Sequence, residues 1–60
     1  MLHLSELLIQ HPELNNFSEL EQLVSTHAKA TRERFFRIDV KPSFPDTPEN
    51  WEDRLEAAFY

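Results

Sequence analysis

The sequence predicts an all-α fold: one small helical domain over residues 1–60, made of three helices and an extended, proline-containing segment at 36–47. Apolar residues recur at helical spacing at about 3–10, 19–35 and 48–59. The chain has no glycine and no cysteine, which disfavours tight hairpin turns and excludes a disulfide framework. Only one short stretch alternates with the period of two that is typical of a strand.

The first helix, at about 3–10, is predicted by an apolar face with the spacing i, i+3, i+4, i+7. Its members are Leu4, Leu7, Leu8 and His11. Pro12 ends this helix, because proline lacks the N–H that would continue the hydrogen-bond ladder. A turn follows at 11–16.

The second helix, at about 19–35, carries the clearest local signal. Ser18 and Glu21 match the capping box S-x-x-E, in which each side chain satisfies the other residue's backbone N–H. Helical spacing then continues for four turns, through Leu20, Leu23, Val24, His27, Ala28, Thr31 and Phe35. We therefore predict that the apolar members Leu20, Leu23, Val24, Ala28 and Phe35 pack in the core against the first and third helices.

The segment after the second helix alternates between apolar and charged residues, so that Phe36, Ile38 and Val40 share one face. Because one strand cannot form a sheet, three interpretations stay open. The segment is an extended arm, a strand that pairs with a second copy of the chain, or one more turn of helix. Lys41 and Phe44 each precede a proline, which favours extended backbone there.

The third helix, at about 48–59, is predicted to start at Thr47-Pro48, with threonine as N-cap and proline in the first helical position. Its apolar stripe consists of Trp51, Leu55, Ala58 and Phe59. Its opposite face is acidic and consists of Glu49, Glu52, Asp53 and Glu56.

The net charge of -5 is unevenly spread, because five of the six lysines and arginines lie within residues 29–41. The first interpretation is that the acidic ends of the same or a neighbouring chain compensate this basic stretch. The alternative is a small anion-contact patch. Its candidate residues are Lys29, Arg32, Arg34 and Arg37.

The sequence offers no basis for catalysis, a cofactor or a metal site. The absence of glycine excludes phosphate-cradling and dinucleotide-binding loops. The three histidines lack metal-ligand spacing, and Ser25 and His27 point to different faces of one helix. No apolar run approaches a membrane span of about 20 residues, and the N-terminus lacks the basic start of a signal peptide. We therefore expect a non-enzymatic, cytoplasmic protein.

Self-association is expected from the size of the chain. In a domain of 60 residues, burial of apolar surface barely offsets the entropy of ordering the chain, and no disulfide adds stability. We therefore predict a homodimer or a larger assembly. The candidate contacts are apolar residues outside the three helical stripes: Phe36, Ile38, Val40, Phe44 and Tyr60. Phe17 also lies outside the stripes.

The first hypothesis for function is a small protein–protein interaction module, a regulator or adaptor of a larger machine, of the kind that phages and mobile elements encode. The alternative is a nucleic-acid-binding regulator that uses the basic stretch 29–41. Reading of a major groove by the second helix is disfavoured, because Glu19 and Glu21 at its start would face DNA. A third hypothesis is an acidic mimic of DNA, based on the acidic face of the third helix.

Overall fold

The structure is a computed structural model that describes residues 1–60, and it contains three helices and a two-stranded parallel sheet. The elements in chain order are β1 (Leu2–His3), α1 (Leu4–Gln10), α2 (Phe17–Thr31), β2 (Phe36–Arg37) and α3 (Trp51–Phe59). The prediction of an all-α fold is therefore wrong, since the chain is mostly helical but two strands pair. The sequence does not predict β1, because a strand of two residues is too short to show an alternation with period two.

The two strands pair in parallel, with Leu2 opposite Phe36 and His3 opposite Arg37. The backbone N–H of Leu2 donates to the carbonyl of Phe35 at 2.9 Å. Parallel strands need a long crossover connection, and here α1 and α2 together supply it. Phe36–Arg37 is thus a strand with a partner at the N-terminus of its own chain, and it does not extend α2.

Helix α1 covers Leu4–Gln10, which confirms the predicted position to within one residue. It ends where the His11 N–H donates to the Leu7 carbonyl at 3.0 Å, directly before Pro12. Its first turn has no side-chain cap from the preceding residue. Asp39 supplies one instead, accepting from the Ser5 N–H at 3.0 Å and from the Ser5 hydroxyl at 2.7 Å.

Helix α2 starts two residues earlier than predicted, and its cap is a different residue. Asn16 is the N-cap, and its side-chain oxygen accepts from the Glu19 N–H at 2.8 Å. Glu19 reaches back and accepts from the Asn15 N–H at 2.7 Å. The predicted capping box of Ser18 and Glu21 is therefore wrong, because Asn16 and Glu19 form the equivalent arrangement one half-turn earlier.

The C-terminal end of α2 also differs from the prediction. The helix stops at Thr31, and Arg32 adopts the left-handed conformation with φ 55° and ψ 36°. The Arg32 N–H still donates to the Ala28 carbonyl at 3.0 Å, as in an αL helix cap. Because the chain changes direction here, Phe35 leaves the helical stripe and is 62% exposed, so its predicted place in the core is wrong.

Helix α3 begins at Trp51, three residues later than predicted, after two turns at residues 45–50. Asp46 in the first turn accepts from the Phe17 N–H at 2.8 Å and so joins this loop to the start of α2. The predicted N-cap, Thr47, does not cap the helix, because its hydroxyl is buried and has no hydrogen-bond partner. The Asn50 carbonyl accepts the first helical bond, from the Arg54 N–H.

The core is small, with 10 of 60 residues buried. Its apolar members are Leu2, Leu4, Leu7, Phe17, Leu20, Val24, Ala28, Leu55 and Phe59. The predicted packing of the three helical stripes is confirmed at most positions, although Leu8, Leu23 and Trp51 are only half-buried. Phe17 is 1% exposed, and the Arg54 guanidinium covers it at 5.2 Å from the centre of the Phe17 ring. Phe17 therefore belongs to no surface patch.

None of the three helices combines the length and the apolar character that crossing a membrane requires. The longest, α2, has 15 residues. About 20 apolar residues are needed to cross the hydrocarbon core of a bilayer.

Candidate functional site

The predicted contact residues divide into two groups in the structure. Phe36, Ile38 and Phe44 are half-buried and pack against the core. Val40 and Tyr60 face solvent, with 39% and 78% of their surface exposed. Of the predicted contact residues, Tyr60 and Val40 are therefore the ones that the structure leaves exposed.

Three aromatic rings connect β2 to the C-terminus. The Phe36 ring stacks on Phe59 with centroids 5.0 Å apart and an interplanar angle of 13°. Tyr60 meets Phe59 edge-on, with centroids 4.8 Å apart. Both arrangements are favoured by the charge distribution of aromatic rings. The series ends in the exposed Tyr60 ring, which reaches β2 only through Phe59.

The outer edge of β2 is open. The sheet has only two strands, so no third strand pairs with β2 on the side away from β1. Leu2 bonds to the residue beside Phe36, so in a parallel ladder the N–H and carbonyl of Phe36 itself point away from β1. Such an edge is a ready template for another strand.

The basic segment, which we define as residues 29–41, is the second notable surface. All five of its lysines and arginines are exposed: Lys29, Arg32, Arg34, Arg37 and Lys41. None of them forms an ion pair with a carboxylate of the chain. The sixth cation, Arg54, is held by Glu21 in a bidentate pair at 2.8 and 2.9 Å, which raises the pKa of Arg54.

The two acids inside the basic segment are engaged elsewhere. Glu33 lies 3.1 Å from the N-terminal ammonium of Met1. Asp39 binds Ser5, and these hydrogen bonds lower the pKa of its carboxyl. Compensation of the basic segment by ion pairs within the chain is therefore absent, and compensation by a neighbouring chain stays a prediction.

The three side-chain types of a hydrolase triad lie together at Ser5, His3 and Asp39, but their hydrogen bonds do not run in the order that a triad needs. The Ser5 hydroxyl donates to Asp39 Oδ2, and His3 Nδ1 lies 3.6 Å from that same oxygen. A nucleophilic serine must instead donate to the imidazole, which takes its proton. The cluster caps α1 and ties the residues after β2 to β1. No local pattern predicted this cluster, because Ser5 and Asp39 lie 34 positions apart in the sequence.

An open groove of about 400 Å³ lies between α2 and α3. It is lined by Glu21, Gln22, Ser25, Arg54, Ala57 and Ala58. Its two charged groups already bind each other, as the Arg54–Glu21 pair. The groove therefore offers no free charge to a ligand.

Comparison with known proteins gives no relative: no protein-family model, no curated protein and no solved structure matches the chain. The function must therefore be argued from the residues and their geometry alone.

Proposed function

We propose that this protein is a small, non-enzymatic interaction module, a regulator or adaptor, whose first partner is a second copy of itself. The contact is the open edge of β2. A two-fold axis brings the β2 edges of two chains together as antiparallel neighbours and gives a four-stranded sheet in the order β1-β2-β2-β1. The observation that carries the proposal is the unpaired outer edge at Phe36.

The size of the sheet supports this pairing. Two strands of two residues each form a sheet that is marginal by itself, and three or more strands are the usual minimum for independent stability. Short length, charged side chains and a covering element are the ordinary protections against strand addition; β2 is short, but it carries only Arg37 as a charged residue. Self-pairing supplies the missing strands and satisfies the outward backbone groups of Phe36.

Exposed apolar side chains near this edge support it further. Tyr60 lies at the end of the ring series that begins at Phe36, and Val40 follows β2 along the chain. Exposed apolar groups that adjoin an open edge are typical of an interaction surface. Both side chains can be changed with little effect on the core, because neither belongs to it.

The test removes one backbone hydrogen-bond donor from each chain without changing any side chain. A chemically synthesised chain with an N-methyl group on Phe36 loses the outward donor but keeps the aromatic ring and the bonds to β1. We expect the unmodified protein to scatter light with about twice the mass of a monomer at micromolar concentration, and its melting temperature to rise with concentration. The N-methyl chain should be monomeric over the same range.

The matched control is N-methylation at Ser43, in the exposed loop before α3, which should leave the mass unchanged. Tyr60→Ala should weaken the dimer without unfolding the monomer, since Tyr60 is mostly exposed. A monomeric mass and a concentration-independent melt for the unmodified chain would contradict the proposal. So would a dimer that N-methylation of Phe36 leaves intact.

A further inference from the structure

The face of the strand pair that points away from the core carries an exposed aromatic ring. Side chains alternate along a strand, so Phe35 and Arg37 point to the side opposite Phe36, which stacks in toward Phe59. Across the pair, the parallel register places His3 opposite Arg37. Phe35 and Met1, which directly precede the two strands, are 62% and 63% exposed, so each presents an apolar side chain to solvent.

Arginines flank this ring on both sides along the chain. Arg34 and Arg37 are exposed and form no ion pair, and Arg32, which follows α2 with a left-handed backbone, is exposed as well. The neighbouring acids do not cancel them. Glu33 binds the N-terminal ammonium, and Asp39 binds Ser5. The structure thus separates the charges of this segment, pairing the anions and leaving the cations free.

We infer that the outer face of the strand pair binds single-stranded nucleic acid, with a base stacked on Phe35 and phosphates held by Arg32, Arg34 and Arg37. Stacking of bases on exposed aromatic side chains, beside cations that follow the phosphate backbone, is how proteins hold single strands without reading their sequence. Guanidinium groups suit this task because they bind phosphate oxygens in a bidentate manner.

A single strand fits this face better than a duplex. Bases in a duplex are already stacked on each other, so the Phe35 ring would find no free base to cover. Neither α2 nor α3 presents cations at its N-terminal end to a groove, because the first turn of α2 carries Glu19 and the first turn of α3 carries Glu52 and Asp53. The negative net charge also opposes approach to a long duplex and leaves only a local contact.

The test is fluorescence anisotropy with a labelled oligo(dT) of about 12 nucleotides, a length within the usual range of single-strand sites. We expect saturable binding at low salt. Three phosphate contacts predict a slope of about -2 in log affinity against log salt, because a single strand contributes about -0.7 per contact. Between about 20 and about 200 mM salt, the affinity should therefore fall about 100-fold.

Two pairs of variants separate stacking from charge. Phe35→Leu keeps an apolar side chain but loses the aromatic face, and it should weaken binding about tenfold, whereas Phe35→Trp should bind at least as well as the unmodified protein. Arg37→Gln should flatten the salt slope by about 0.7, and Arg37→Lys should keep it. Both sites are exposed, so the thermal melt of all four variants should stay within a few degrees and report that the fold is intact.

Several outcomes would overturn the inference. These are absence of binding at low salt, equal binding by Phe35→Leu and Phe35→Trp, and a matched duplex bound as tightly as the single strand. Binding to vesicles of anionic lipid, with no binding to oligo(dT), would assign the surface to membranes instead and would equally overturn it. The result is independent of the proposed dimer, since the chain N-methylated at Phe36 keeps the whole outer face and should bind oligo(dT) as a monomer.

Discussion

The molecule contains two contacts of different kinds, one between α2 and α3 and one between β1 and β2. They differ in how many of their side chains are buried. The helices share fully buried side chains, among them Leu20 and Leu55, and a bidentate ion pair crosses between them. The strands meet over two residues each, and only Leu2 is buried there. On the outer side of the strand pair, Met1 and Phe35 remain exposed.

This difference assigns different roles to the two regions. The helical contact buries Leu20 and Leu55 completely and pairs Arg54 with Glu21, so it contributes stability and offers no free charge to a partner. The strand pair has an open backbone edge on one side and unpaired arginines on its outer face. Both proposed contacts, with a second copy and with a single-stranded nucleic acid, therefore lie at the strand pair.

The largest expected effect compares one buried leucine from each region. Leu20→Ala should cost about 2–5 kcal/mol, the usual range for a cavity in a close-packed core, which is much of the stability of a domain this small. Leu2→Ala should cost about 2 kcal/mol, because the chain end beside it can move in and reduce the cavity. Urea unfolding followed by circular dichroism measures both.

Ile9→Ala is the control for this pair. Ile9 is 78% exposed, so its truncation should change the free energy of unfolding by less than about 0.5 kcal/mol. If Leu2→Ala lowered the free energy of unfolding as much as Leu20→Ala, the strand pair would be as well packed as the helical contact. That result would contradict the difference between the two regions.

A smaller effect separates the observed cap of α2 from the predicted one. Asn16→Ala should destabilise the protein by about 1 kcal/mol, because the Glu19 N–H loses its acceptor. Ser18→Ala should be nearly silent, since the Ser18 side chain caps nothing in this structure. The reverse order in chemical denaturation would place the start of α2 where the sequence pattern first suggested it.

The sequence predicted what local rules determine. The apolar spacing located α1 to within one residue and identified most of the buried positions of α2 and α3. The start of α2 was missed because Asn16-x-x-Glu19 and Ser18-x-x-Glu21 are equally good capping patterns. The earlier start is the one that lets the Phe17 N–H donate to Asp46 in the loop before α3. That contact spans 29 residues, beyond the reach of any local pattern.

The strand pair and the surface around it could not be predicted from the sequence. For the segment that begins at Phe36, a strand was one of three open interpretations, because its partner, Leu2, lies in a two-residue strand without a pattern. Phe35 was assigned to the core because it continues the spacing of α2, and no glycine or proline marks the stop at Thr31. The turn depends on Arg32 adopting a left-handed conformation, which non-glycine residues seldom do.

The smallest effect tests what fastens the strand pair to α1. Hydrogen bonds from Ser5 hold the pKa of Asp39 below its ordinary value of 3.8 in the folded state. The folded protein therefore binds this proton less readily than the unfolded chain, so the contribution of Asp39 is fully present at neutral pH and is lost as the pH falls through the lowered pKa. Melting curves between about pH 2 and about pH 7 should show this loss, and Asp39→Asn should make the acid side of the profile shallower.

Glu13, whose pKa is also lowered, by its own backbone N–H and by His11, lies in the turn after α1, outside the strand pair. Glu13→Gln is the matched control and should remove its own share of the acid loss while leaving the amide of Leu2 as protected from hydrogen exchange as before. Asp39→Asn should speed exchange of that amide, because α1 and β1 lose their link to the residues after β2. Unchanged exchange at Leu2 in Asp39→Asn would show that the strands pair without the Ser5–Asp39 contact.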